Sequence, residues 1–221
     1  MLKNKLLTAL LAICVVVFVI TFSIGLPIYF RPFYYMQIDS LDLEERTGYT
    51  KAEIKEGYDE ILDFLTLPGA EYGTGVFASS SEGEGHFRDC KGLFTLNLVL
   101  LLASLAGTIT LILLNILKKF KLSRPFGFNF LFTCGVGTLA FFAVLGGLCA
   151  ISFDRAFEIF HKIFFPGKDN WMFNPYEDEI ILAMPQEFFM NCAILIAGSI
   201  ILISIGFIAY GIIEKRKRKE K

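Results

Sequence analysis

Long stretches without charge alternate along the chain with shorter polar segments. Residues 6–28, 92–117, 126–152 and 188–213 contain no Asp, Glu, Lys or Arg and run for 23, 26, 27 and 26 residues. A helix of roughly 20 apolar residues crosses the ~30 Å hydrocarbon layer, so each stretch is long enough to span a bilayer. The pattern predicts an all-α integral membrane protein with four transmembrane helices. The first would lie in segment 1–28 and the others at 92–117, 126–152 and 188–213, leaving segments 29–91, 118–125, 153–187 and 214–221 outside the bilayer. The first stretch reads as an uncleaved span rather than a signal peptide. It exceeds a signal h-region in length, and no small-x-small cleavage site precedes Pro27.

Shorter periodicities organise the polar segments. Thr50 and Glu53 form a capping box ahead of Ile54, Tyr58, Ile61, Leu62 and Leu65, which fall on one helical face. An amphipathic helix over about 51–65 follows, stopped by Pro68-Gly69. The aromatic cluster Tyr29, Phe30, Phe33, Tyr34 and Tyr35 reads as an interfacial belt. The Gly/Ser-rich stretch 70–85 reads as a mobile connector. In the second long polar segment, Phe153, Phe157, Phe160 and Phe164 recur at helical spacing, with His161 at the edge of their stripe. Phe165-Pro-Gly ends that helix, and Asn170-Trp171-Met-Phe173 follows.

Charge adds an orientation. Segments 1–5, 118–125 and 214–221 hold 12 Lys/Arg and two acids, whereas 29–91 and 153–187 hold nine basic and 20 acidic residues. Short Lys/Arg-rich segments remain cytoplasmic, which places both termini and 118–125 inside and the two long segments outside, as an extracellular cap formed by two outer loops. The basic tail then acts as a stop-transfer anchor. Composition agrees: 54% of the 221 residues are hydrophobic and 19% charged, against about 45–50% and 25% in soluble domains. A soluble enzyme, a nucleic-acid binder and a disordered regulator are excluded. Five cysteines without a CxxC spacing argue against a thiol oxidoreductase.

Candidate chemistry centres on two histidines, each in an outer segment close to a span. His86 lies six residues before the second stretch and His161 nine after the third, each with carboxylates nearby: Asp89, and Asp154 with Glu158. Two imidazoles at one depth suit proton transfer, with Asp89 available to orient His86 and Asp154 or Glu158 to orient His161. A zinc site is the competing use of the same residues, but no close ligand pair such as HxxxH nucleates it. No nucleophile elbow, P-loop or dinucleotide fingerprint occurs, so an enzyme here would act on lipid-borne material without a metal or cofactor.

Two blocks resemble a known family. His86-Phe-Arg-Asp-Cys-Lys91, and Phe153-Asp-Arg-Ala-Phe-Glu-Ile-Phe-His161 continuing through Phe164-Phe165-Pro-Gly-Lys-Asp-Asn170-Trp171 and closing with Pro185-Gln186, look like the histidine motifs of the bacterial lipoprotein intramolecular transacylases (Lit). The likeness extends over the whole chain. One departure is Cys90, where the family pattern suggests an apolar residue such as Val; this counts against a thiol nucleophile.

The resemblance implies four membrane helices under an extracellular cap in the bacterial cytoplasmic membrane, with His86 and His161 as catalytic residues at the boundary. It implies transfer of the sn-2 acyl chain of an S-diacylglyceryl cysteine to that residue's own α-amine, giving a lyso-form lipoprotein. The partners would be diacylated lipoprotein and membrane lipid, with no nucleic acid. Phe157, Phe164, Phe165 and Trp171 would form a tight aromatic pocket. Arg88 and Lys91 would contact glyceryl or peptide carbonyls, and Asn170 would donate to an oxyanion. Two other classes stay open: a non-catalytic tetraspan interaction or sensor protein, and an intermolecular lipid acyltransferase.

Overall fold

The computed structural model describes residues 2–220, with the side chains of residues 148 and 150 outside the description. The described residues form α-helices joined by loops and one short 3-10 turn, Pro125–Gly127, with no strand among them. The helices are α1 Leu2–Tyr29, α2 Pro32–Ser40, α3 Leu43–Thr47, α4 Lys51–Thr66, α5 Ser81–Ile116, α6 Phe130–Ile151, α7 Phe153–Phe164, α8 Ile180–Ala183 and α9 Gln186–Lys219. Among the described residues, α1, α5, α6 and α9 are long and apolar enough to cross a membrane. The charged turns of α5, with Glu82, Glu84, Arg88, Asp89 and Lys91, precede Gly92; its spanning part is the charge-free portion after them.

The chain divides into two compact units. One comprises residues 1–24, 98–150 and 195–221. Its core is small: Leu11, Val15, Val19, Leu111, Cys134 and Ile200 are buried together. Leu102, Phe141, Val144 and Leu202 point outward and are mostly exposed, as expected where lipid replaces water as solvent. Helix contact relies on small residues, because lipid supplies no hydrophobic drive between apolar faces. A Cβ on Gly135 of α6 would sit 2.6 Å from the Ser204 carbonyl oxygen of α9, and one on Gly211 would sit 2.5 Å from Phe132 Cβ. At the polar end, Arg124 and Asn129 donate to Glu214 at 2.6 and 3.0 Å, and Lys215 lies 3.5 Å over the Phe128 ring.

The second unit comprises residues 25–97 and 151–194. Helix α4 carries the Thr50–Glu53 capping box and turns Ile54, Tyr58, Ile61, Leu62 and Leu65 into the interior. The aromatic cluster after α1 departs from the belt expected of it. Tyr34 is fully buried, stacks on Tyr58 at 3.6 Å and donates its hydroxyl to the Ala183 carbonyl at 2.8 Å. Phe30 remains exposed. The sequence pattern misses α2 because its apolar face is short. Arg31 pairs with Asp59 at 3.0 Å and with Asp63, tying α4 to the chain entering α2.

The expected mobile connector is also shorter than its composition suggests. Helix α5 begins at Ser81 rather than at the charge-free stretch, so residues 81–91 are helical. Ser80 accepts from the Gly83 N–H at 3.0 Å, and its own N–H and hydroxyl donate to Asp178 at 2.8 and 2.9 Å. A buried carboxylate at a helix N-terminus satisfies free donors and complements the dipole. Gly83 permits this approach: a Cβ there would lie 2.1 Å from Asp178 Oδ1.

Candidate active site

Both histidines belong to the second unit and are at least nine-tenths buried. His86 stands on the second turn of α5, and His161 on α7, whose Ser152 accepts from the Arg155 N–H at 3.3 Å to start the helix. His161 is the buried residue of α7, while Ile159, Phe160, Ile163 and Phe164 remain largely exposed. The ring centroids of His86 and His161 lie 5.7 Å apart with planes tilted by 35°.

The surroundings are aromatic. Phe165 meets the His86 ring edge-on at 4.9 Å and His161 at 5.7 Å. Phe157 lies 4.3 Å from His161, and Trp171 stacks on it at 4.5 Å and 24°. Phe173 meets His86 at 5.5 Å. Burial in this setting lowers the pKa of His86 to about 4, helped by the like charge of His161 and opposed by Asp89. Burial also lowers His161, partly offset by its bond to the backbone. Both imidazoles are therefore neutral near pH 7.

One hydrogen bond settles the tautomer of His161. Nδ1 lies 2.7 Å from the Phe157 carbonyl oxygen, which can only accept. Nδ1 carries the proton, and Nε2 is left with its lone pair. His86 differs: Nε2 lies 3.4 Å from Cys90 Sγ, and its buried Nδ1 has no hydrogen-bond partner.

The carboxylates do not take the positions expected of them. Asp154 accepts from Gln186 and Glu158 from Lys162, the latter at 2.5 Å, so neither orients His161; the helix backbone does. Glu158 lies three residues before His161, but Lys162 is an i,i+4 partner of opposite charge and captures it. Asp89 accepts from Lys168 at 2.5 Å and from Asn170 Nδ2 at 3.4 Å rather than from His86. Lys168, above all, holds its carboxyl below the ordinary range. Asp89 thus ties the segment after α7, which carries Trp171, to α5.

Asn170 gains a role. Its amide nitrogen faces a carboxylate that only accepts, so its oxygen points away, buried and without a hydrogen-bond partner. One of its two amide N–H groups is engaged by Asp89, and its oxygen adds an acceptor beside the expected donor. Arg88 pairs with Glu84 and lies 5.9 Å over Phe64, and Lys91 lies 4.3 Å over the same ring; these contacts are with α4 and α5 rather than with the histidine rings. Phe164 packs on Phe160 at 4.6 Å and is half exposed. Phe173 and Cys90 are the neighbours a sequence reading leaves unassigned; the i,i+4 spacing of Cys90 from His86 is the signal that could have found the second. No group of three His, Cys, Asp or Glu arranged to hold a metal occurs among the described residues.

Comparison with known proteins converges on one family. Residues 9–189 match the family described as "Lipoprotein intramolecular transacylase Lit". The solved structure of the membrane-integral lipoprotein intramolecular transacylase Lit from Bacillus cereus is similar over 98% of each chain, with 27% identity and a TM-score of 0.87. A variant of that protein with a histidine replaced by arginine aligns over 99% of this chain and 95% of its own, at 27% identity and a TM-score of 0.80. A variant with the histidine replaced by alanine aligns over 97% and 96%, at 26% identity and a TM-score of 0.79. No curated protein sequence matches significantly.

Proposed function

The chain belongs to the lipoprotein intramolecular transacylase (Lit) family, and from that membership we propose that it moves the sn-2 acyl chain of an S-diacylglyceryl cysteine onto the same residue's α-amine. The observation that carries the chemistry is the pair of buried, neutral imidazoles, one presenting a lone pair that a backbone carbonyl on its other nitrogen fixes.

An α-amine has a pKa of about 7.7–8.0, so a base must hold it unprotonated or take its proton as it attacks. In this reading the amine nitrogen bonds to the ester carbonyl carbon, and the carbonyl oxygen becomes an oxyanion. His161 Nε2 takes the proton released from nitrogen, and an N–H of His86 faces the oxyanion. The carbon–oxygen bond to glycerol then breaks, and His161 returns its proton to the departing oxygen. The net change is one proton moved from nitrogen to oxygen and one ester exchanged for an amide. This is downhill, and no energy source is needed. Nucleophile and ester belong to one molecule, where well-oriented attack reaches effective molarities of ~10⁵–10⁸ M. The protein's contribution is a dry, shaped site, to which Phe157, Phe165 and Trp171 belong.

In the same reading the basic segments 1–5, 118–125 and 214–221 face the cytoplasm, and segments 29–91 and 153–187 lie outside as a cap. Fragmentation mass spectrometry of lipoprotein N-terminal peptides from cells expressing the chain tests the proposal, with His86→Ala and His161→Ala in parallel. An N-acyl, monoacylglyceryl cysteine lost in both variants is expected. Unchanged diacylglyceryl cysteine with a free amine, despite membrane expression, would favour a tetraspan interaction protein instead.

A further inference from the structure

We infer that Cys90 is a positioning residue whose thiol holds His86 in the tautomer that carries its proton on Nδ1. The inference rests on the transacylase reading only for its consequence, not for its geometry. Cys90 follows His86 by one helical turn on α5, and the i,i+4 register brings Sγ to 3.4 Å from Nε2. Either atom could donate in principle. Sulfur is a weak acceptor, whereas an imidazole lone pair is a good one, so the favourable arrangement runs from S–H to Nε2. Burial pushes the thiol pKa up to about 12, so the proton it would donate stays on sulfur.

With Nε2 accepting, neutral His86 must carry its proton on Nδ1. That nitrogen is buried and without a partner, on a ring only 7% exposed. Its aromatic neighbours Phe87, Phe165 and Phe173 offer no side-chain acceptor. A buried N–H with nothing to bind costs free energy, which an acceptor brought by the substrate recovers. An ester carbonyl turning into an oxyanion is such an acceptor. The two histidines are thereby differentiated by what holds their opposite nitrogens. Phe157 O fixes His161 as a base through Nδ1, and Cys90 fixes His86 as a donor through Nε2. This use of a protonated thiol also fits its place beside the reacting groups without making it a nucleophile.

Nitrogen-15 NMR of histidine-labelled protein in detergent micelles tests the inference without reference to turnover. The chain has two histidines, so a His161→Gln spectrum assigns the His86 signals. The expected wild-type pattern is a protonated Nδ1 and an unprotonated Nε2 on His86. Cys90→Ser, which keeps a donor, should retain it. Cys90→Ala should shift the population toward Nε2–H, and turnover should fall about tenfold with KM unchanged. A wild-type His86 protonated at Nε2 overturns the inference, as does a tautomer unchanged in Cys90→Ala. If the tautomers behave as expected but wild-type protein makes no N-acylated product, the positioning role stands and the transacylase reading falls.

Discussion

His86 and His161 hold their imidazole rings 5.7 Å apart in a buried, aromatic setting. Two positive charges at that separation repel by about 3 kcal/mol at an effective dielectric of ~20, so the pair does not readily hold two protons. Both are lowered from the ordinary histidine value, His86 to about 4. Each therefore binds fewer protons in the folded than in the unfolded chain below pH 6.5.

The sign of the pH dependence follows. Stability is at its full value above pH 6.5 and falls as acid is added toward pH 4, because the unfolded state takes up protons first. Burial should keep His161 in its base form below the ordinary histidine value. Thermal unfolding in detergent at pH 7.5 and 5.0 should give a lower Tm at the acidic value, and both imidazoles, followed by nitrogen-15 NMR, should titrate below 6.5. An imidazole that titrates at or above 6.5 contradicts the burial argument.

Asp89 and the two carboxylates of α7 should behave differently. Asp89 anchors Lys168 and Asn170, beside the Trp171 that stacks on His161. Asp89→Ala should cost below about 1 kcal/mol of stability, since the ion pair is partly exposed, yet lower turnover about tenfold through misplacement of the ring. Asp154→Ala and Glu158→Ala, whose partners are Gln186 and Lys162, should leave turnover within about twofold of wild type. Mass-spectrometric quantification of lyso-form product in the three variants decides this.

Glycines on α5 give a structural test. Gly83→Ala would press a methyl into Asp178, which is buried and cannot retreat without losing both bonds to Ser80. The expected cost is about 1–3 kcal/mol, seen as a lower Tm. Two residues on, a Cβ at Gly85 meets only Asn170 Nδ2 at 3.5 Å, an ordinary contact. Gly85→Ala should be neutral or stabilising by up to about 1 kcal/mol.

The four membrane helices were legible because a bilayer demands roughly 20 apolar residues, a constraint written directly in composition. Both histidines stood out through residue type and nearness to a span, and the fold brings their rings together. Other features escaped because they depend on distant or backbone partners. The start of α5 hides in a Gly/Ser-rich run, since the Ser80 that caps it is held in place by Asp178, nearly a hundred positions away. The group that orients His161 is the Phe157 carbonyl, which every residue type offers equally. Asp89 engages the amide nitrogen of Asn170, a partner that spacing along the chain does not reveal. Glu158 and Asp154 looked like orienting groups by spacing alone, but Lys162 and Gln186 engage them instead.

The central claim is that the acyl chain moves within one molecule, and a crossover experiment tests it most directly. Purified protein in detergent would receive two diacylated lipopeptides together, one with heavy peptide and heavy sn-2 chain, the other unlabelled in both. The account predicts N-acylated products of two masses, heavy-heavy and light-light, and no product from His161→Ala. Mixed products, with a heavy chain on a light peptide, would contradict it and identify an intermolecular acyltransferase.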